Sequence, residues 1–233
     1  MTSSDYEPGP CGADDSVKST ISKNIGERPA SADSMESLEQ VAHLIRKCID
    51  CPLSGGRTNA VPGEGNPKAA VMLIGEGPGF QEDRQGRPFV GPAGRFLDEL
   101  LASIGLSRND VYITNVVKCR PPDNRDPLPE EVDSCKPYLD TQIDLISPKL
   151  IVTLGRHSMS WFFPGYAISK VHGKPRLWNG ITMCPMYHPA AALHNPNLRS
   201  VIQNDFKELP NILARLEDIN DDPEEQTKQL SMF

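Results

Sequence analysis

The chain has 233 residues, 38% of them hydrophobic and 24% charged, which is long enough for one or two folded domains with a sizeable core. Its 22 prolines favour a folded domain with polar tails over a wholly compact chain. No run of 18 apolar residues occurs, and the first ten residues have neither a basic start nor an apolar segment. We therefore expect no transmembrane helix, no signal peptide and a cytoplasmic location.

The formal net charge of −7 is unevenly distributed along the chain. Residues 1–40 hold 3 basic and 8 acidic side chains, and residues 216–233 hold 1 and 6, so each end has a net charge of −5. Residues 41–215 hold 20 basic and 17 acidic side chains, a net charge of +3. The mildly basic body is compatible with a nucleic-acid partner, which the overall charge alone would argue against.

The hydrophobic pattern divides the chain into one folded domain and two tails. Residues 1–35 have few large apolar side chains, so we predict a disordered acidic tail, and residues 216–233 form a second acidic tail. Between them, in residues 36–215, segments with the hydrophobic pattern of a strand alternate with segments that have the pattern of a helix. Strands are predicted at 71–74, 111–117, 150–154, 168–171 and 181–185. Helices are predicted at 37–47, at 95–104 and at 197–216. Two more helices are predicted, one that begins at residue 129 and one that follows the strand 150–154 and ends at residue 161. This alternation favours an α/β fold with a mostly parallel sheet.

The stretch from Val71 to Leu101 is the most informative part of the sequence. A short apolar strand runs into the glycine-rich loop GEGPG at 75–79, and a second motif, GPAG at 91–94, precedes a helix. A strand, a glycine-rich loop and a helix in this order place a ligand beside main-chain N–H groups and a helix N-terminus.

Four cysteines have a spacing that suggests a metal centre. Cys48 and Cys51 form a C-x2-C pair at a helix end, Cys119 follows a predicted strand, and Cys135 lies in the next helix. A cytoplasmic chain does not favour disulfides, and four thiolates suit either tetrahedral zinc or a four-iron cluster. The wide spacing favours iron–sulfur only weakly, and two unrelated buried pairs remain an alternative. We interpret Cys184 as a core residue.

Four blocks of sequence, together with these cysteines, resemble the family 4 uracil-DNA glycosylases. The blocks are GEGPGFQEDRQGRPFVGPAG, TNVVKCRPPDNRDP, IVTLG and YHPAAALHNP, and the resemblance covers about residues 36–215. It implies a three-layer αβα sandwich with a central four-stranded parallel sheet. It also implies a [4Fe–4S] cluster held by Cys48, Cys51, Cys119 and Cys135.

The implied activity is that of a monofunctional hydrolase that releases uracil from single- or double-stranded DNA and starts base excision repair. We expect the protein to act as a monomer. The alternative is a non-catalytic iron–sulfur or zinc protein that binds nucleic acid.

A uracil-DNA glycosylase has to flip the nucleotide out of the duplex and stabilise charge that develops on uracil and on the sugar. His188 is placed to donate to uracil O2 as a neutral imidazole. Asn115 can accept from N3–H and donate to O4, a pattern opposite to that of cytosine. Phe89 can stack on the flipped base. Main-chain N–H groups of the glycine-rich loop would contact uracil or its phosphate, at Gly77, Gly79 and Phe80.

Two carboxylates of this stretch are candidates for the remaining catalytic roles. The best-known uracil-DNA glycosylases have an aspartate two residues after the first glycine of the loop, where this chain has Gly77. We predict that Glu76 positions water and stabilises the oxocarbenium ion. We predict that Glu82 shapes the pocket near uracil C5, where the methyl group of thymine has to be refused. The division of roles between the two is open.

DNA contacts are predicted outside the base pocket. The loop 187–196 would enter the minor groove, with Leu193 as the apolar wedge that fills the place of the flipped base. Arg199, Arg120 and Lys118 could contact phosphates, although surface cations are often only solvated.

The last five residues of the sequence, QLSMF at 229–233, resemble the pentapeptide that binds the bacterial sliding clamp. In that resemblance Gln229 and Leu230, together with Met232 and Phe233, enter a pocket on the clamp. The acidic linker 217–225 would keep this motif away from the folded body. The alternative is an unstructured tail.

Overall fold

The computed structural model describes residues 37–221, with side chains for residues 37–216. The strands are β1 Glu64–Gly65, β2 Val71–Gly75, β3 Tyr112–Asn115, β4 Leu150–Leu154, β5 Arg176–Trp178 and β6 Ile181–Met186. The helices are α1 Leu38–Lys47, α2 Leu53–Gly56, α3 Phe80–Gln85, α4 Pro92–Ala102, α5 Pro129–Ile146, α6 Arg156–Phe162, α7 Ile168–Val171, α8 Ala191–His194, α9 Asn197–Lys207 and α10 Leu209–Asp221. Within residues 37–221, none of the helices has the length and apolar character needed to cross a membrane. The predicted N-terminal tail and the motif at 229–233 lie outside the described residues.

The six strands form one mixed sheet in the order β1-β3-β2-β4-β6-β5. The four inner strands are parallel, which confirms the predicted four-stranded parallel sheet. The two edge strands, which were not predicted, are antiparallel to their neighbours. Strands β2 and β4 are buried along their whole length, as apolar strands covered on both faces should be.

Helices cover both faces of the sheet and give a three-layer αβα sandwich. Along β2 the side chains alternate, so that Met72 and Ile74 face one core and Val71 and Leu73 face the other. The first core is completed by residues of α1 and α5, and the second by residues of α4 and α9. The α/β class predicted from the alternation of elements is confirmed.

Two predicted elements differ in the structure. Residues 168–171 form helix α7 instead of a strand, and the buried Val171 lies three residues after Ile168, on the same helical face. The single helix predicted at 197–216 is divided into α9 and α10 around Glu208. Pro210 explains the division, because proline is tolerated in the first turn of a helix but not in its interior.

Candidate active-site cleft and cysteine pocket

A cleft of about 440 Å³ opens at the carboxyl ends of the parallel strands. The last residue of β2, Gly75, is paired with the last residue of β3, Asn115, so the loops that follow them lie side by side. The cleft is lined by the loop 76–79, by part of the segment 121–125, by part of the loop 188–194, and by Glu82, Phe89 and Asn115. Ligands of open α/β sheets bind at this edge.

The structure brings most of the predicted base-binding residues to this cleft. Its lining includes Glu76, Gly77, Gly79, Glu82, Phe89, Asn115 and His188. Besides Lys118, four other predicted residues lie outside the lining. Arg120 borders it and donates to the side chain of Asn124 at 2.7 Å. The Phe80 side chain is half exposed, Leu193 is half exposed on α8, and Arg199 donates to Glu99 at 2.5 Å.

The His188 imidazole lies against the Phe89 ring inside the cleft. Their ring centroids are 5.5 Å apart and the ring planes differ by 28°. The main-chain N–H of Ala190 donates to His188 Nδ1 at 3.1 Å, which leaves the proton of the neutral ring on Nε2. Burial lowers the pKa of His188 to about 4, so the ring is neutral at pH 7. His188 is thus a neutral N–H donor in the wall of the cleft.

Asn115 is buried and lies over the end of β2. A Cβ atom on Gly75 would lie 2.4 Å from Asn115 Oδ1 and 2.7 Å from Phe89 Cζ. A side chain at this position would therefore displace both groups. Glycine at the end of β2 lets an amide and an aromatic ring face the same space, which is what reading a planar base requires.

Lys118 does not contact solvent, so its predicted role as a phosphate contact is wrong. The side chain is buried, and its Nζ donates to Asn115 O at 2.6 Å and to Thr114 Oγ1 at 2.8 Å. A third bond goes to Gln142 Oε1 at 2.7 Å. Instead of contacting DNA, Lys118 stabilises the main chain of Asn115 from the interior of the domain. Sequence reasoning missed this because lysine is almost never fully buried.

Phe89 has a strained backbone that its neighbours hold in place. Its φ angle is +52°, in the left-handed region that disfavours a bulky side chain. Arg108 donates to the carbonyl oxygen of Phe89, and also to that of Pro88 at 2.9 Å. A Cβ atom on Gly94 would lie 1.7 Å from Phe89 O, so only glycine allows this approach. Such strain persists where the surroundings over-determine the conformation.

Arg108 was not identified from the sequence, where an arginine in the segment SRND gives no signal. Its guanidinium also donates to Glu64 and to Asp98, at 2.7 Å in each case. These carboxylates orient the guanidinium toward the carbonyl of Phe89.

The Glu82 carboxylate accepts hydrogen bonds from the two main-chain N–H groups that follow Phe89. Its Oε1 accepts from the N–H groups of Val90 and Gly91, both at 2.9 Å. Glu82 lies in the first turn of α3, while Gly91 immediately precedes α4. The carboxylate therefore connects the two helices and fixes the segment that follows Phe89.

Glu76 lies at the edge of the cleft among other charged groups. Burial and, to a lesser extent, the negative charge of Asp126 raise the pKa of its carboxyl to about 7, although Arg156 opposes the shift. His157 Nε2 is 4.0 Å from the Glu76 carboxylate and 3.1 Å from that of Asp126. A cation could bridge these three groups, but Arg156 Nε also approaches His157 Nε2 at 2.8 Å. Glu76 is thus close to half protonated at pH 7.

The four cysteines of the predicted cluster line one small cavity between α1 and α5. Burial raises the pKa of Cys135 to about 12, and it raises the pKa values of Cys48 and Cys119 as well. Arg57 donates to Cys119 Sγ at 2.9 Å. Among the described residues, no three of these sulfurs lie within 4.8 Å of one another. Cys184 lies apart from them, in β6 and in the other core.

The sequence of the folded domain is similar to that of proteins of one known class. Residues 62–215 match the family model of the uracil DNA glycosylase superfamily. The chain is 53% identical to the type-4 uracil-DNA glycosylase of Sulfurisphaera tokodaii over 185 residues, which cover 75% of this chain and 84% of the relative. It is 51% identical to that of Saccharolobus solfataricus, over 77% of this chain and 88% of the relative. It is 45% identical to that of Thermotoga maritima, over 77% and 96%. The chain belongs to the type-4 uracil-DNA glycosylases.

Proposed function

We propose that this protein hydrolyses the N-glycosidic bond of deoxyuridine in DNA and so starts base excision repair. The observation that carries the proposal is the neutral His188 ring, which presents an N–H donor beside Phe89 and Asn115 in one cleft. Its chemistry suits a leaving group that departs as an anion. The names of the relatives agree with this reading.

Three side chains would recognise the flipped base. The Phe89 ring would stack on uracil, as its position at the cleft wall allows. The Asn115 amide would accept from N3–H and donate to O4, which cytosine cannot match. His188 Nε2–H would donate to O2 and stabilise the negative charge that develops there. Main-chain N–H groups of Gly77 and Gly79 would hold the base or its phosphate.

Glu76 is the carboxylate that we assign to water and to the oxocarbenium ion. Glu82 is already bound by two main-chain N–H groups, whereas Glu76 faces the cleft without such an anchor. A carboxylate with a raised pKa is a suitable base near neutral pH. The role of Glu82 is then to hold the wall near uracil C5 in a position that refuses the methyl group of thymine.

We also propose that Cys48, Cys51, Cys119 and Cys135 hold a [4Fe–4S] cluster. A tetrahedral zinc ion would bring four sulfurs to about 3.8 Å from one another, given Zn–S bonds of about 2.3 Å. The four sulfurs do not have this arrangement, since no three of them lie within 4.8 Å of one another. Arg57 would offset part of the negative charge of a four-iron cluster. Such a cluster would join α1, the segment after β3 and α5.

The predicted DNA contacts extend this proposal beyond the base. Leu193 is half exposed on α8, beside the cleft residues Ala190 and His194, where an apolar wedge would enter the minor groove. Arg120, next to the cleft residue Pro121, would meet a phosphate. Arg199 is the weaker candidate because Glu99 already pairs with it.

The direct test is release of uracil from a single-stranded oligonucleotide that contains one deoxyuridine. The wild-type protein should release uracil, and His188→Ala should lower the single-turnover rate by about 10²–10³-fold, as loss of an oxyanion donor does. His43→Ala, an exposed histidine of α1, is the control and should leave the rate unchanged. Binding of the oligonucleotide without any release of uracil would instead favour the non-catalytic alternative.

The motif at 229–233 supports a second, separate proposal. We propose that the enzyme is a monomer and that a bacterial sliding clamp recruits it to DNA by binding Gln229, Leu230, Met232 and Phe233. Deletion of residues 229–233 should abolish binding to the clamp in a pull-down with purified proteins. Release of uracil from short oligonucleotides should stay at the wild-type rate. Unchanged clamp binding would end this proposal.

A further inference from the structure

Phe80 is an aromatic side chain that remains half exposed at the beginning of α3. Two guanidinium groups lie against its ring, with Arg120 Cζ 5.2 Å and Arg84 Cζ 5.7 Å from the ring centroid. Cation–π contacts at these distances hold the arginines near the ring. This exposed aromatic ring with two positive charges beside it lies in the part of the chain, residues 41–215, whose net charge is +3.

This surface lies at the mouth of the cleft. Gly79, the residue before Phe80, lines the cleft, and so does Pro121, the residue after Arg120. Arg120 Nε also donates at 2.7 Å to the side chain of Asn124, another residue of the lining. Phe80 therefore stands between the two loops that border the cleft, outside the space that the flipped base would occupy.

We propose that the Phe80 ring is a stacking platform for an unpaired base adjacent to the flipped uracil, with Arg84 and Arg120 meeting the phosphates beside that base. This inference rests on the proposed function, because it places DNA at the cleft. It assigns the Phe80 side chain a role of its own, separate from any contact of its main-chain N–H.

The chemistry of the surface favours single-stranded DNA over other partners. Every base presents a π-face, and proteins that bind single strands combine aromatic platforms with positive charges that follow the backbone. Arginine guanidinium groups also stack on bases and bind phosphate oxygens. In a duplex, the neighbouring base is already stacked and paired, so the gain from Phe80 is smaller there. The platform should therefore favour single-stranded substrates.

The test uses an oligonucleotide with 2′-fluoro-2′-deoxyuridine, whose glycosidic bond resists hydrolysis, and with the fluorescent base 2-aminopurine on its 5′ or 3′ side. Binding of the wild-type protein to the single strand should quench 2-aminopurine on one of the two sides. Phe80→Ala should lose this quenching and bind the single strand roughly tenfold more weakly. Its affinity for the duplex should fall by about threefold or less. Phe80→Tyr, which keeps an aromatic ring, should behave as the wild type.

The matched control is Tyr166→Ala. Tyr166 is exposed to the same extent as Phe80, and Arg176 Cζ lies 4.8 Å from its ring centroid, but it does not line the cleft. Its removal should change neither affinity nor quenching.

Two outcomes would overturn the inference while wild-type protein still releases uracil. One is equal binding of the single strand by Phe80→Ala and wild type, and the other is an equal loss of affinity for single strand and duplex. Failure of the wild-type protein to release uracil would overturn the proposed function instead.

Discussion

The cleft and the cysteine pocket differ in what holds their side chains. In the cleft, groups of the chain itself fix the predicted catalytic residues, as the N–H of Ala190 does for His188 and two N–H groups do for Glu82. In the cysteine pocket, burial raises the pKa values of Cys48, Cys119 and Cys135, so these thiols are neutral at pH 7. The cleft is therefore preorganised by the polypeptide, whereas the neutral thiols of the cysteine pocket would have to lose their protons to hold the proposed cluster.

One short segment connects the two regions. Arg57 donates to Cys119 Sγ, and the next two residues, Thr58 and Asn59, donate their main-chain N–H groups to the buried carboxylate of Asp83. Asp83 follows Glu82 in the first turn of α3. A change in the cysteine pocket can thus reach the cleft through α3, but the cleft has anchors of its own on the other side of Phe89.

The largest effect should come from breaking the cysteine pocket. Cys135→Ser should abolish the broad absorption near 400 nm of a four-iron cluster. It should also lower the free energy of unfolding, on the order of 5 kcal/mol, because binding of the group and folding are coupled. Absorption spectra and urea unfolding followed by circular dichroism measure both effects.

Cys184→Ala is the matched control for this prediction, since Cys184 is equally buried but lies in the other core. It should keep the absorption and lose only about 1–2 kcal/mol for the small cavity that it leaves. Cys135→Ser could instead keep the absorption near 400 nm and have the same free energy of unfolding as Cys184→Ala. In that case the stability of the pocket would not depend on a bound group.

A smaller effect should come from releasing Phe89 in the cleft. Arg108→Met removes the donor to the Phe89 carbonyl, so the strained backbone can relax and the ring can leave the position in which it stacks on His188. We expect the single-turnover rate to fall by about tenfold, or about 1.4 kcal/mol, with a smaller change in the Kd for DNA.

Arg87→Met is the matched control for Arg108→Met. Arg87 pairs with the same carboxylate, Glu64, but its side chain is 58% exposed and has no bond to Phe89. Its loss should change the rate by less than about twofold. Equal rates for the two variants would show that the contact with the Phe89 carbonyl does not matter.

The sequence predicted the parts of the cleft that depend on local pattern. Asn115 lies at the carboxyl end of one apolar strand and the glycine-rich loop at that of another. Parallel strands bring their carboxyl ends to one edge, so their convergence could be expected. The family resemblance placed His188 and Phe89 beside them. The division at Glu208 also had a signal, because Pro210 interrupts the predicted helix.

What the sequence did not predict depends on contacts between distant residues. The positive φ of Phe89 has no signal at a phenylalanine, and it is held by Arg108, which is 19 residues further along the chain. A lysine at position 118 predicts a charge on the surface. The structure shows a buried side chain instead, because buried acceptors surround its Nζ. Residues 168–171 are too few for periodicity to separate a strand from a single helical turn.

At pH 7 the smallest effect, about twofold, concerns Glu76, the cleft carboxylate that lacks a main-chain anchor. Burial raises the pKa of Glu76 to about 7, so its ionised form increases as the pH rises through 7. If this form positions water, the single-turnover rate should be about half its plateau at pH 7 and about a tenth of it at pH 6. His188, with a pKa of about 4, should add no change in this range.

Variants of the groups that face Glu76 make this pH dependence specific. Asp126→Asn removes the negative charge that raises the pKa, so the midpoint should move below 7, and Arg156→Met should move it above 7. His157 also lies near, but desolvation lowers its pKa, which keeps it neutral over most of this range. Glu76→Gln should give a lower rate that is flat between pH 6 and 8. If the rate of that variant still fell as the pH was lowered from 8 to 6, another group would position the water. Glu76 would then be only part of the cleft wall, like Glu82.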